Sequence, residues 1–436
     1  MQLPQEFIHR MKERLGEDFP AFLASYENPP YKALRVNTLK IPTEEFLTVS
    51  PFALEQVPWQ KSGFFVREEK PGADVYHFAG LFYMQEPSAM CAAPLLEVKR
   101  GERVLDLCAA PGGKTTQLAA EMRGEGVLIA NEIDFARAKI LSQNIERLGV
   151  TNCAVTKASP AHLSKHFPAY FDKILVDAPC SGEGMFKKEP EAIAHWSLNN
   201  VAACAARQRE ILDEAAKMLS VGGKLVYSTC TFSEEEDEWQ IEEFLKSHPA
   251  FELLKMTKLL PHKVRGEGHF AALLLKREGE RRETPVGLST PRGRFHHADA
   301  DRAERAYREF ADDFFKTQPT DKVLVQGPRV LLVPQEMPDL DPTALVSLRL
   351  GVELGEWDGK LFKPAHALCM AFGERARRKV ELSREDAKKY LRGETVTANL
   401  PNGWAAVCVE QFPLGLGKVV NGIVKNHLPK GLRMIK

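Results

Sequence analysis

Two cysteines stand where a thiol could do chemistry. The stretch "VYSTCTFSEEEDE" (226–238) runs small and β-branched residues up to Cys230 and then turns strongly acidic. In "LVDAPCSGEGMF" (175–186) an apolar run carrying Asp177 closes on Cys180 in the same way. A free thiol has a pKa of about 8.5 and becomes a reactive thiolate when a helix N-terminus or a cation stabilises the anion. Free cysteine is also among the most buried residue types, so sequence context alone leaves each thiol open between catalysis and packing. Both, however, end runs that read as neighbouring parallel strands, and that edge of an α/β sheet is where ligands bind.

A third stretch, "LDLCAAPGGKTTQLA" (105–119), predicts a strand, a Gly-rich loop from Cys108 to Lys114 and a helix. Gly112 and Gly113 allow the backbone close to a ligand, and the helix start offers free N–H groups. The leading glycine of a Walker A loop is missing, and the GxGxxG dinucleotide pattern is absent, which argues against phosphate binding. The next strand ends in "NEID", with Glu132; an acid roughly twenty residues past such glycines accepts hydrogen bonds from ribose hydroxyls. A Gly loop without a phosphate pocket, paired with a ribose acid, points to S-adenosylmethionine.

These residues need elements to position them. "RVLDLC", "GVLIANE", "CAVTKA", "DKILVDA", "GGKLVYSTC" and "HFAALLLKR" read as strands, with helical patterns between them. That alternation predicts a mostly parallel sheet covered on both faces. The core is placed at residues 96–277, after a small α+β domain at 1–95 that opens with the amphipathic "MQLPQEFIHRMKERLG". Residues 278–318 shift to Arg, Gly, Pro, His and Asp and are expected to be a linker. Short Gly-punctuated strands then predict a small, mostly β domain at 319–436. Lys plus Arg equals Asp plus Glu at 59 each, so a nucleic-acid binder of this composition must gather its positive charge locally. It does so at the end, where Lys418, Lys425, Lys430, Arg433 and Lys436 occur without an acid among them. The eight cysteines form no CxxC pair, which argues against a structural zinc site. No metal is expected, reduced thiols and a cytoplasmic location are, and no apolar run is long enough to span a membrane.

"DLCAAPGGKTTQLA", "DAPCSGEGMF" and "YSTCTFSEEEDE" resemble the signatures of the Nop/Sun family of RNA cytosine-5 methyltransferases. "RVNTLK", "YMQEPSAM" and "PHKVRGEGHF" look like further landmarks of it in the expected order, and "PLGLGKVVNGIVKNHLPKGLR" resembles the PUA-like RNA-binding end of the RsmF-type bacterial enzymes. The resemblance implies a Rossmann-like methyltransferase core between a small N-terminal domain and a PUA-like one. It implies that Cys108, Ala109, Ala110, Pro111, Gly112, Gly113 and Lys114 form the S-adenosylmethionine loop, with Glu132 on the ribose. Asp177 then lies between methyl donor and target base, Cys230 is the nucleophile and Cys180 assists product release. Family members often carry an Asp after the third strand to read adenine; in "TKASPAHL" Ser159 takes that place. Lys114 is a candidate for a charge that compensates the thiolate.

The function expected is methylation of cytosine C5 in ribosomal RNA of the small subunit through a covalent Cys–C6 adduct. Alternatives are a transfer-RNA cytosine methyltransferase and a non-catalytic RNA-binding assembly factor; a DNA enzyme fits less well, because of the second cysteine and the PUA-like tail. Ribosomal RNA or the small subunit is the expected partner, with no obligate protein partner. Arg35, Asn37 and the C-terminal lysines are candidates for holding RNA, and His262 and His269 for lining the base channel. Phe186 and Trp196 read as core more readily than as base-stacking residues. Ser233 and Glu236 match a capping box, and the acidic run is expected to point outward.

Overall fold

A computed structural model describes residues 1–288, 297–340 and 344–434. The N-terminal region forms a four-stranded antiparallel sheet from β1 (Ala33–Val36), β2 (Leu54–Gln56), β3 (Gly63–Val66) and β4 (Phe82–Met84), ordered β2-β3-β1-β4. The core strands are β5 (Arg103–Asp106), β6 (Val127–Asn131), β7 (Cys153–Thr156), β8 (Phe171–Asp177), β9 (Leu219–Thr229), β10 (Phe251–Leu259) and β11 (His269–Lys276). Later come β12 (Lys322–Gln326), β13 (Arg329–Val333) and β14 (Ser347–Leu350). The central sheet is ordered β10-β11-β9-β8-β5-β6-β7-β14.

Strands β7, β6, β5, β8 and β9 run parallel; β11 pairs antiparallel with β9, and the edge strands β10 and β14 pair antiparallel with β11 and β7. Because β5 pairs with both β6 and β8, the chain leaves it in opposite directions, which opens a crevice at its carboxyl end. Alternate residues serve opposite faces, both buried: Leu105, Ile129, Ile174 and Tyr227 in one cluster, Val104, Leu128, Leu175 and Val226 in the other. Strand β10 escapes a sequence reading because its edge position leaves Glu252, Lys255 and Met256 exposed.

The expected linker at 278–318 is not one throughout. Helix His297–Phe314 buries Ala303, Tyr307, Ala311 and Phe314, a helical stripe of mostly small or amphipathic residues between charges. The C-terminal region holds two sheets. β12 and β13 continue into strands Val352–Trp357 and Phe362–Pro364, and a five-stranded sheet is built from Lys379–Leu382, Val396–Thr397, Gly403–Val409, Phe412–Val420 and Ile423–Asn426. β14, expected in that region, instead extends the core sheet beside β7.

"RVNTLK" corrects another expectation. Arg35 and Asn37 are 1% and 2% exposed and cannot hold RNA. The Arg35 guanidinium donates to Gln85 Oε1 (2.8 Å), Thr116 Oγ1 (2.7 Å) and the Gly113 carbonyl (3.0 Å), fastening the N-terminal sheet to the helix that follows the Gly loop. Asn37 Nδ2 donates to the Gly80 and Leu148 carbonyls, and Lys40 Nζ to those of Ala79 and Arg147. Helix Phe135–Arg147 thus has terminal carbonyls satisfied from another domain.

The acidic run does not point outward, and the capping box does not form. Ser233 Oγ donates to Glu235, and the next helix starts only at Glu238 without a side-chain cap. Glu234 and Glu235 pair with Arg14 (3.4 Å) and Arg10 (2.5 Å) of helix Gln5–Leu15. That helix packs Phe7 on Phe186 and Trp196, which are core as expected. Glu236 and Asp237 are fully buried. Glu236 accepts from the Ser181 N–H (2.9 Å), the Ser181 hydroxyl and Gln208 (2.8 Å). Asp237 accepts from Thr229 (2.6 Å) and forms an ion pair with Lys258 (2.7 Å). The run is pulled inward by basic and hydroxyl groups far away in sequence.

Arg35→Met leaves Gln85, Gly113 and Thr116 without their buried donor and is expected to lower unfolding free energy by about 3 kcal/mol in chemical denaturation. Unchanged stability would remove Arg35 from the domain junction. Burial pushes Glu236 up to about 7 from 4.5. Its stabilising contribution is therefore complete below about 4.5 and lost as pH rises through about 7. The stability of wild type relative to Glu236→Gln should fall between about pH 5 and pH 8 in thermal melts. A difference independent of pH would show that Glu236 does not take up a proton on folding.

Candidate functional site

The carboxyl ends of β8 and β9 meet the amino end of β11. Asp177 of β8 lies opposite Ser228 of β9, and Thr229 opposite Phe270 of β11. Two-residue alternation places Ser228 and Cys230 on the face that Asp177 shares, and the Ser228 hydroxyl donates to Asp177 Oδ1 at 2.8 Å. Ser228 carries a sequence signal that was not read, its position two residues before Cys230.

The two thiols, both free, lie with Sγ atoms 3.3 Å apart. The hydrogen bond to Cys230, followed by burial, pushes the Cys180 thiol well above its ordinary value. The two sulfurs are thus within reach of a single shared proton. The loop between them is tightly held. The Gly184 N–H donates to the Cys230 carbonyl at 2.8 Å, and a Cβ on Gly184 would sit 2.8 Å from that oxygen. Gln208 donates to the Pro179 carbonyl at 3.0 Å, and Glu236 fixes Ser181.

Lys114 Nζ lies 2.7 Å from Asp177 Oδ2. Burial pulls the lysine down and pushes the carboxyl up, but each is outweighed by the other's charge: Lys114 titrates above its ordinary value and Asp177 below. Asp177 is thus held as a carboxylate. His269 Nε2 stands 3.7 Å from Asp177 Oδ1, and burial pushes its ring down to about 3, so it is neutral. It stands behind Asp177 and off the cavity wall. His262 is not in a base channel either; it packs edge-on against Phe22 beside Asp18.

A cavity of about 1070 Å³ opens over these strand ends. Cys108, Ala110, Glu132, Ser159, Asp177, Cys180 and Cys230 line it. Ala109, Pro111, Gly112 and Gly113 lie off its wall and shape the loop: the Ala109 N–H donates to the Asn131 carbonyl, and Gly112 turns at φ +110° into helix Gly113–Met122. Glu132 is held by the Asp134 N–H (3.0 Å) and Arg137 (3.4 Å). Ser159 accepts from the His162 N–H at 3.2 Å and caps helix Pro160–His166. Sequence reasoning missed the wall contributed by helix Leu198–Met218, with Asn200, Arg207 and Ile211. Only the β8-to-β9 crossover brings that helix there, and no local motif marks it.

Comparison with known proteins agrees along the chain. Residues 93–275 match the family described as 16S rRNA methyltransferase RsmB/F. Residues 3–87 match the N-terminal domain of 16S rRNA methyltransferase RsmF, 309–372 the RsmF first C-terminal domain and 377–434 the RsmF PUA domain. Ribosomal RNA small subunit methyltransferase F of an Enterobacter species is 35% identical, with 98% of this chain and 95% of the relative covered. Its namesake in Shewanella oneidensis is 32% identical over 99% of this chain and 97% of the relative. Among solved structures, a methyltransferase homologue from Pyrococcus horikoshii shares 33% identity and a TM-score of 0.57, covering 63% of this chain and 95% of that one. NSun6 from Pyrococcus horikoshii, solved with SFG, shares 25% identity and a TM-score of 0.57 over 63% of this chain and 99% of its own. With its catalytic, N-terminal and PUA segments all matched, and full-length relatives at this identity, the chain belongs to the RsmF family of 16S ribosomal RNA methyltransferases.

Proposed function

We propose that the chain methylates C5 of a cytosine in 16S ribosomal RNA, using S-adenosylmethionine and a covalent bond between Cys230 and cytosine C6. The observation that carries this reading is the pair of thiols 3.3 Å apart on the cavity wall that also presents Asp177, itself held by Lys114. The cavity suits the cofactor. Its wall has more carboxylates (Glu132, Asp134, Asp177, Glu189, Glu210, Asp213, Glu214) than cations (Arg137, Arg207, Lys217), which favours a sulfonium over a pyrophosphate. SFG, bound by the NSun6 relative, is an analogue of S-adenosylmethionine. Glu132 would take the ribose hydroxyls, the backbone of Cys108 to Ala110 the chain beyond them, and Ser159 the edge of the adenine pocket.

Cytosine C5 is a weak nucleophile. The Cys230 thiolate adds to C6, an S–C6 bond forms, and the displaced electron pair enriches C5. Asp177 accepts from the cytosine amino group, and the adjacent Lys114 ammonium offsets negative charge gained by the ring. S-adenosylmethionine supplies the electrophilic methyl that the activated C5 takes. The C5 proton then leaves to water, its electron pair re-forms the C5–C6 double bond, and the S–C6 bond breaks to return Cys230 as thiolate. The Cys180 S–H, its sulfur 3.3 Å from that of Cys230, would donate a hydrogen bond to it as it departs.

Such a base must be out of its helix. On the PUA segment Lys418 and Lys425 face each other across neighbouring strands, both exposed, beside Trp404. Like charges directly opposite are unfavourable unless an anion joins them, which suits RNA phosphate. Lys430 is exposed as well, whereas Arg433 folds back on the Leu428 carbonyl; Lys436 lies outside the described residues.

Cys180→Ala, incubated with S-adenosylmethionine and 16S rRNA, is expected to accumulate an RNA-linked species on a denaturing gel. The species should vanish when Cys230 is also replaced. Normal methylation by Cys230→Ala would refute the nucleophile. Lys114→Met removes the countercharge of Asp177, whose carboxyl should then titrate higher. Methylation is expected to fall about a hundredfold, with the acid limb of the pH–rate profile moved to higher pH. A full rate with an unmoved limb would exclude this role for Lys114.

A further inference from the structure

The turn from Leu260 to Gly268, between β10 and β11, touches different things on its two sides. On one side Glu267 reaches the thiol loop: Lys187 Nζ pairs with it at 2.9 Å, and its carbonyl would meet a Gly184 Cβ at 3.0 Å. Glu267 also accepts from the Tyr31 N–H at 3.1 Å, and its own N–H donates to Glu86 at 2.9 Å. The turn therefore has a fixed position against the segment that carries Cys180.

On its other side Arg265 roofs a separate pocket of about 360 Å³ at the seam with the N-terminal sheet. Its guanidinium lies 4.0 Å over the Phe65 ring and 5.7 Å from that of Tyr31. With 43% of its side chain exposed, Arg265 keeps a guanidinium surface open to solvent. Lys32 and Arg67 also line the pocket, against one carboxylate, Glu55, which holds Arg265 at 2.5 Å. An exposed pair of this kind adds little stability, so the fold has small need of an arginine here.

A planar cation backed by an aromatic ring, with two further cations beside it, matches an unpaired nucleotide: guanidinium planes stack on splayed bases, and cations hold the phosphate. We propose that this pocket binds a nucleotide of the RNA substrate flanking the methylated base, its base on Arg265 and Tyr31 and its phosphate toward Lys32 and Arg67. The proposal rests on the RNA-methylation reading above. Through Glu267 and Gly184 the pocket is coupled to the thiol loop, so a correctly seated flanking nucleotide helps to register the target base. Glu55 competes with the RNA for Arg265.

The test uses the full-length chain with a labelled single-stranded RNA oligonucleotide for binding and 16S rRNA for turnover. Arg265→Ala should weaken oligonucleotide binding roughly tenfold, the order of one lost stacking contact, and raise KM for rRNA by a similar factor. Its kcat and its affinity for S-adenosylmethionine should stay near wild type. Arg265→Lys should recover only part of the binding, because charge returns without the plane. Glu55→Gln should tighten binding. Wild-type RNA affinity in both Arg265→Ala and Glu55→Gln would overturn the pocket, as would a kcat loss with KM unchanged. If the wild type binds RNA with this mutational pattern yet methylates nothing, the pocket stands and the methylation reading falls.

Discussion

The proposed chemistry depends on one ion pair, buried Lys114 with partly exposed Asp177 at 2.7 Å. Taking the Lys114 charge out of water alone would cost several kcal/mol. Each is held charged only because the start of one helix and the end of β8 are kept within a single ion-pair length. Arg35 fastens the first turn of that helix through Gly113 and Thr116, and Ser228 fastens Asp177. The two thiols sit on the same cavity wall as Asp177, so the geometry that satisfies the charges also sets out the two sulfurs.

A second constraint surrounds the first. The acids from Glu234 to Glu238 are clustered in sequence but answer to different parts of the molecule. Glu235 draws in the N-terminal helix through Arg10, Glu236 holds Ser181 next to Cys180, and Asp237 meets Lys258 of the edge strand β10. The segment after Cys230 thereby joins the N-terminal helix, the loop bearing Cys180 and the edge of the central sheet. Loss of hydration on burial pushes Glu236 up to about 7.

Much of the fold was legible. Strands β5 to β9 and β11 announce themselves as apolar runs because both faces of a covered parallel sheet are dry. Strand β10 does not, since an edge strand keeps polar residues on its open side. Helix His297–Phe314 was hidden because its buried stripe uses Ala and Tyr rather than large aliphatic residues. The motif residues of the site were equally legible: Cys108, Glu132, Asp177, Cys180 and Cys230 line one cavity. Arg35 and Asn37 were misassigned to RNA because a basic or amide side chain on a short strand looks like a surface group. Only its distant partners reveal that it is buried.

By itself the sequence determined the element order, the Gly-rich turn and the placement of two thiols at strand ends, because backbone propensity and apolar periodicity are local properties. Tertiary structure decided that the two sulfurs meet, that Asp177 rests as a carboxylate, and that the acidic run turns inward. Each of those depends on charge and desolvation supplied by residues tens or hundreds of positions away, such as Lys114 for Asp177 and Arg10 for Glu235. Electrostatic energy falls with distance in space, not in sequence.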